Sequence, residues 1–192
     1  MYPFEYLTQK NIIESCTVEI TDQCDFKCLH CDYPKKLNGK IISLPSAKII
    51  SNQLRKMNTF RITISGGEPF EHPEAIDIIK LFYENSFLVE IITNGFKVNQ
   101  DQLEVLRNLP KLEVIFSIYG TLSVHEKITG IKGSFEKIIK NISFLKNGKC
   151  KVKTQTPVFT ENFDNLEELS KLSAQLGVDI SYDPYISKYF KK

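Results

Sequence analysis

Residues 17–31 read Thr17-Val18-Glu19-Ile20-Thr21-Asp22-Gln23-Cys24-Asp25-Phe26-Lys27-Cys28-Leu29-His30-Cys31. The first five are rich in β-branched side chains and predict a strand. Three cysteines in a C-x3-C-x2-C spacing follow at once, so the thiols fall in the loop that leaves the strand's C-terminal end. Similar runs recur at Arg61 to Ser65, Val89 to Thr93, Leu112 to Ser117, Lys151 to Pro157 and Asp179 to Asp183, making six candidate strands. Helical periodicity lies between them. Ile76, Ile79 and Phe82 share a face after Pro73, Leu103 and Leu106 share another, and Phe135, Ile138, Ile139, Ile142 and Leu145 form a third with Ser134 as N-cap. Leu166, Leu169, Leu172 and Leu176 form the last, ahead of Gly177 as the residue past the helix end.

Strands alternating with helices at spacings of roughly 25 to 45 residues predict an α/β fold of right-handed βα units on a parallel sheet. Six such units form an open, curved sheet or a partial (β/α)6 TIM-like barrel with parallel strands. In either case functional groups collect in the loops at the strands' C-terminal ends. The cysteine run is in such a loop. Cys16 and Cys150 fall near strand starts, on the opposite face, and are expected to be buried or inert thiols.

The chain has 192 residues, 42% of them hydrophobic, which suits one compact core. That core is expected over residues 16–192, after an N-terminal extension at residues 1–15. Lys and Arg number 25 against 23 Asp and Glu, and the only basic cluster is the terminal Lys188, Lys191 and Lys192, so no nucleic-acid partner is expected. No basic segment is followed by an apolar run, and no stretch reaches the roughly 18 apolar residues of a membrane span. A cytoplasmic protein without a membrane partner is the expectation. Five cysteines, three of them within eight residues, suit metal or redox chemistry better than a secreted disulfide framework.

Thiolates are the usual iron–sulfur ligands, and three of them on a cubane of four irons leave one iron open to a further ligand. The competing reading is a zinc site with His30 as fourth ligand, which is strained because His30 adjoins Cys31. Ser65-Gly66-Gly67-Glu68-Pro69 follows the second strand. Its glycines permit close backbone approach and its carboxylate can accept from an ammonium; the competing reading is a plain turn. Thr93-Asn94-Gly95 ends the third strand, as part of a site or as a structural turn, the helix after it arguing against a hairpin. Ser117-Ile118-Tyr119-Gly120 ends the fourth, with Ser117 facing a ligand or satisfying local backbone, and Tyr119 facing substrate or packed. His125, in the loop after it, suits proton transfer or substrate binding, or is a surface or capping histidine. Asn162, after the fifth strand, either approaches a ligand or caps backbone.

The C-x3-C-x2-C run, with GGEP and TNG one strand apart, resembles the radical S-adenosylmethionine (radical SAM) superfamily. The resemblance implies that Cys24, Cys28 and Cys31 hold a [4Fe-4S] cluster whose open iron binds S-adenosylmethionine, reductively cleaved to a 5′-deoxyadenosyl radical. It implies cofactor contacts from His30 near the adenine, from Gly66, Gly67, Glu68 and Pro69 near the methionine amino group, and from Thr93, Asn94, Ser117 on the ribose and Asn162 near the adenosine. Residues 117–142, SIYGTLSVHEKITGIKGSFEKIIKNI, are similar to the peptide-modifying branch whose members often carry a C-terminal SPASM domain. Epimerisation or cross-linking of a peptide is the implied reaction, with a small-molecule enzyme or activase, or a non-catalytic iron–sulfur scaffold or partner subunit, as alternatives. A peptide substrate and an electron donor protein are the implied partners. Only eight residues follow Asp183-Pro184, and no second cysteine cluster exists, so neither a SPASM domain nor a helix after the sixth strand is expected. That leaves a truncated maturase, or a short protein whose open barrel edge is covered by a partner subunit or in a homodimer.

Overall fold

The computed structural model describes residues 13–31 and 39–184. Its strands are β1 (Ser15–Thr21), β2 (Arg61–Gly66), β3 (Leu88–Thr93), β4 (Leu112–Ser117), β5 (Lys151–Val158) and β6 (Asp179–Pro184). They hydrogen-bond in sequence order, β1-β2-β3-β4-β5-β6, and every pairing is parallel. Among the described residues β6 does not close onto β1, so the sheet is an open (β/α) trough, the partial barrel expected. The helices are α1 (Leu44–Lys56), α2 (Ala75–Glu84), α3 (Gln100–Arg107), α4 (Leu122–Thr129), α5 (Ser134–Leu145) and α6 (Leu166–Leu176). None of the described helices is long and apolar enough to cross a membrane. Residues 1–12 of the expected extension and residues 185–192, with the basic terminal cluster, lie outside the described residues.

The two faces of the sheet differ in chemistry. Ile62, Ile64, Val89, Ile91, Leu112, Val114 and Phe116 alternate toward the helices and are buried there with Ile78, Phe82, Leu106, Ile138 and Ile142. The opposite, concave face is polar. Strand register sets Thr63 beside Glu90, Glu90 beside Glu113 and Glu113 beside Lys151, one row across four strands. Two neighbouring carboxylates are tolerated because each has a cation: Arg61 pairs with Glu90, and Lys153 Nζ lies 2.6 Å from Glu113. Thr63 adds a hydroxyl donor to Glu90 at 3.1 Å. Closed (β/α)8 barrels fill this space with branched apolar side chains; here charged and hydroxyl side chains line it.

Three local features depart from the expectations. Ser134 begins α5 but does not cap it; the cap is Gly133, at φ 77°, because the chain turns left-handed immediately before the helix. Ser134 Oγ donates instead to the Ile131 carbonyl at 2.7 Å. Helix α1 lies where no helical pattern was read, although Ser43 caps it and a proline stands in its first turn. His125 lies on a helix, α4, bracketed by Thr121 and the left-handed Gly130. Cys16, on β1, and Cys150, just before β5, lie toward the N-terminal end of the sheet as expected.

Ile142 on α5 is fully buried against the sheet. Ile142→Ala is expected to lower unfolding free energy by about 2–5 kcal/mol. Lys140→Ala, on the exposed face of the same helix, should change it by less than about 0.5 kcal/mol. Urea denaturation of the two variants measures both.

Candidate functional site

A cavity of about 210 Å³ opens at the C-terminal end of the sheet, lined from four consecutive strand ends. The loop after β1 supplies Cys24, Phe26, Cys28, His30 and Cys31. From β2 come Ser65, Gly66 and Gly67, from β3 Ile92, Thr93 and Asn94, and from β4 Ser117 and Tyr119. The three thiols, at least 34 residues from the lining residues of any other strand end, are thus brought against the GG, TN and S-x-Y motifs by the parallel register.

The cysteine loop is held from outside. Phe26 is buried with its ring centroid 5.7 Å from that of Phe96. The Lys27 and Leu29 backbone N–H groups donate to the Thr129 and Ile128 carbonyls at 3.4 and 3.0 Å, satisfying carbonyls in the last turn of α4. On its other side, Gly67 N–H donates to the Thr21 carbonyl at 2.8 Å and Glu68 N–H to the Gln23 carbonyl at 2.7 Å. A Cβ on Gly66, at φ 137°, would come within 2.2 Å of the Thr21 carbonyl oxygen, and one on Gly67 within 2.2 Å of that of Gln23. The glycines therefore serve close backbone approach as expected, but the approaching backbone is the loop that leads to the cysteines.

Glu68 and Pro69 are buried and neither lines the cavity. The Glu68 carboxylate, expected to face an ammonium, accepts instead from the Thr93 hydroxyl at 2.6 Å, the Asn94 N–H at 2.6 Å and the Phe70 N–H at 3.1 Å. Burial raises its pKa to about 7, against the pull of those donors. Thr93 Oγ1 also accepts from Gly95 N–H at 2.8 Å, and Asn94 Nδ2 donates to Asp25 Oδ1 at 2.9 Å. The Thr93-Asn94-Gly95 turn is thereby tied both to the second loop and to the cysteine loop, and it leads into α3 with no hairpin.

Tyr119 is buried between two histidines. Its ring lies 4.8 Å from His30 and stacks at 5.5 Å and 21° on His125. Its N–H donates to His125 Nδ1 at 3.2 Å, which places the proton of the neutral imidazole on Nε2. His125 is fully buried and does not line the cavity; of the roles weighed for it, the one seen is capping, since it accepts the Tyr119 backbone N–H, and it braces Tyr119. Burial lowers the pKa of His30 and of His125 to about 4, leaving both neutral. Asn162 also stands away from the cavity. Its Oδ1 accepts from Phe159 N–H at 2.9 Å and its Nδ2 donates to the Pro157 carbonyl at 2.8 Å, so the amide is used within its own loop as a backbone cap.

The donor set suits an iron–sulfur cluster. Burial pushes the Cys24 and Cys28 thiols up to about 12, so they are protonated when free and lose protons on ligation. Among the described residues no three His, Cys, Asp or Glu side chains stand close enough to hold a single metal ion, and His30 packs against Tyr119 and Phe159, so the tetrahedral zinc set is not formed. Three soft sulfur donors around one cavity match the larger cubane.

Because the folded pKa of Glu68 is raised, its protonated form stabilises the fold below about 4.5, and that contribution is lost as pH rises through about 7. The two buried histidines act oppositely, weakening the fold as pH falls from about 6.5 toward 4. The stability difference between parent and Glu68→Gln isolates the carboxyl and is expected to be larger at pH 5 than at pH 7.5, read from urea midpoints.

The family model of the radical SAM superfamily matches residues 18–172. Subtilosin biosynthesis protein AlbA of Bacillus subtilis is 30% identical over 84% of this chain and 37% of its own length. Mycofactocin maturase MftC of Mycolicibacterium smegmatis is 27% identical over 85% of this chain and 42% of its own. The crystal structure of Streptococcus suis SuiB bound to precursor peptide SuiA superposes with a TM-score of 0.80 at 16% identity, over 93% of this chain and 41% of that one, a likeness of fold. The chain thus spans less than half the length of these relatives. With the cysteine loop, the glycine pair and the TNG turn gathered at one end of a parallel six-stranded trough, and a family match covering most of the sequence, the chain belongs to the radical SAM superfamily, whose cofactors are a [4Fe-4S] cluster and S-adenosylmethionine.

Proposed function

We propose that this chain is the core of a radical SAM enzyme in which Cys24, Cys28 and Cys31 hold the [4Fe-4S] cluster, and that it modifies a peptide by epimerisation or cross-linking. The observation that carries the reading is the convergence of three thiols and three further strand ends on one cavity. When bound, the cluster and S-adenosylmethionine supply reductive C–S cleavage and, through it, hydrogen abstraction from an unactivated C–H bond. The chain's own residues bind and orient. The Gly66 and Gly67 backbone, Thr93, Asn94 and Ser117 are the polar groups available to S-adenosylmethionine, and the neutral His30 ring is a wall on which a planar base can stack. Glu68 acts one step back, by holding the Thr93–Asn94 turn.

A peptide substrate is supported by SuiB, solved bound to precursor peptide SuiA, and by the likeness to a bacteriocin biosynthesis protein and a maturase. The polar trough below the cavity, with Gln155 and Asp183 hydrogen-bonded to each other on its β5–β6 side, offers the donors and acceptors that peptide groups require. The core begins at residue 16 in this reading. An electron donor protein reduces the cluster, a partner subunit or second copy covers the open sheet edge, and a reducing cytoplasm keeps the five free thiols available.

Anaerobic reconstitution with iron and sulfide, followed by dithionite and S-adenosylmethionine, is expected to yield 5′-deoxyadenosine, with both cluster and product lost in Cys28→Ala. A cluster without cleavage would favour a scaffold. Ser117→Ala is expected to weaken S-adenosylmethionine binding about 5- to 10-fold, the loss of one hydrogen bond of roughly 1 kcal/mol. Asn162→Ala should leave that affinity unchanged and lower the urea midpoint instead. Equilibrium dialysis with the reconstituted protein separates the two.

A further inference from the structure

Helix α4 begins without a side-chain cap of its own, although Thr121 stands at the capping position. The acceptor comes from 44 residues further along the chain. Asn165 Oδ1 accepts from the Thr121 N–H at 2.6 Å and from the Thr121 hydroxyl at 3.2 Å, so two donors at the start of α4 converge on one amide oxygen. Asn165 directly precedes α6, where its residue type would ordinarily cap its own helix, yet it makes no such bond there. Its side chain serves α4 instead. Gly120 leaves room for that crossing, since a Cβ there would lie 2.8 Å from Asn165 Oδ1.

The other end of α4 grips the cysteine loop. The carbonyls of Ile128 and Thr129, in its last turn, accept from the backbone N–H groups of Leu29 and Lys27 at 3.0 and 3.4 Å. Those two residues stand on either side of Cys28. Midway along the helix, His125 Nδ1 accepts the N–H of Tyr119, whose side of the cavity is fixed in this way. A helix of eight residues is too short to persist by itself in water, so its place depends on what binds its ends and its buried face. Asn165 binds one end, and the flanks of Cys28 hang from the other.

We propose that Asn165 is a positioning residue: by capping α4 from the loop after β5 it fixes the backbone that holds both sides of Cys28, and so sets how tightly the cysteine loop retains its cluster. The inference rests on the cluster assignment made above and goes beyond it by naming a residue that does not line the cavity.

Two measurements on the 192-residue chain test it. Hydrogen–deuterium exchange, resolved to single amides by fragmentation mass spectrometry, is expected to be about 5- to 10-fold faster at Lys27 and Leu29 in Asn165→Ala than in the parent, with the β3 amides unchanged. After anaerobic reconstitution, iron release to a chelator is expected to quicken by about the same factor. Asn165→Asp keeps the acceptor and suits the positive end of α4, so it should return both rates to those of the parent. A parent-like rate of either kind in Asn165→Ala, or Asn165→Asp as fast as Asn165→Ala, would overturn the proposal. So would the same quickening at Lys27 and Leu29 in Ile142→Ala, because the effect would then be a general loss of stability. Should Asn165→Ala fail to fold, Thr121→Pro decides: it removes both donors at a φ of −68°, which proline adopts, and unchanged exchange at Lys27 and Leu29 refutes the link. A parent that assembles no cluster would overturn the proposed function and cluster retention with it, while the exchange, read without iron, still decides whether Asn165 holds the loop.

Discussion

A single buried carboxylate, that of Glu68, joins three loops that are far apart in sequence. It leaves the end of β2, whose two glycines press the backbone onto Thr21 and Gln23, and it reaches to the hydroxyl and N–H of the turn after β3. That turn in turn holds Asp25 and touches Cys24. A carboxylate in such a place is costly unless it is bonded, and three donors meet that requirement. The geometry of the thiols thus depends on a group that never reaches the cavity. Losing any one link would loosen the loop that carries all three cysteines, because the loop has no regular secondary structure of its own.

The second determinant is the openness of the sheet. With six parallel strands and no β6–β1 pairing among the described residues, the concave face is too wide for side chains to fill. Its residues are accordingly charged and paired across strands, Arg61 with Glu90 and Glu113 with Lys153, in place of packed apolar layers. The hydrophobic core lies mainly between sheet and helices and extends into the loops at the C-terminal end through Phe26, Tyr119 and Phe159.

Much of this was legible in the residues. The β-branched runs located all six strands to within two residues at either end, since a strand buried on one face must alternate and a βα unit must end it with a turn. The cysteine spacing and the motifs one strand apart located the cavity, because parallel register gathers the C-terminal ends of strands. What was not legible depends on distance in the chain. The Asn94–Asp25 bond spans 69 residues and Glu68–Asn94 spans 26, and no local pattern announces either. Glu68 reads as reaching for a ligand, and Asn162 as either approaching one or capping backbone; burial and hydrogen-bond partners show what each holds within the protein itself. The short helix α4 was missed because eight residues carry little periodicity, and with it the burial of His125.

The order of the sheet has a consequence for synthesis. Strands that pair only with their immediate predecessors allow the chain to condense as it leaves the ribosome, one βα unit upon the last, with short loops to close at each step. Among the described residues, every one that lines the cavity lies between Cys24 and Tyr119. The walls are therefore in existence before β5 and β6 have been made, and the later part of the chain only seals them, when Phe159 arrives against His30. A nascent protein of this design has its thiols enclosed early, while the apolar face of the newest strand is the surface still exposed to misassociation.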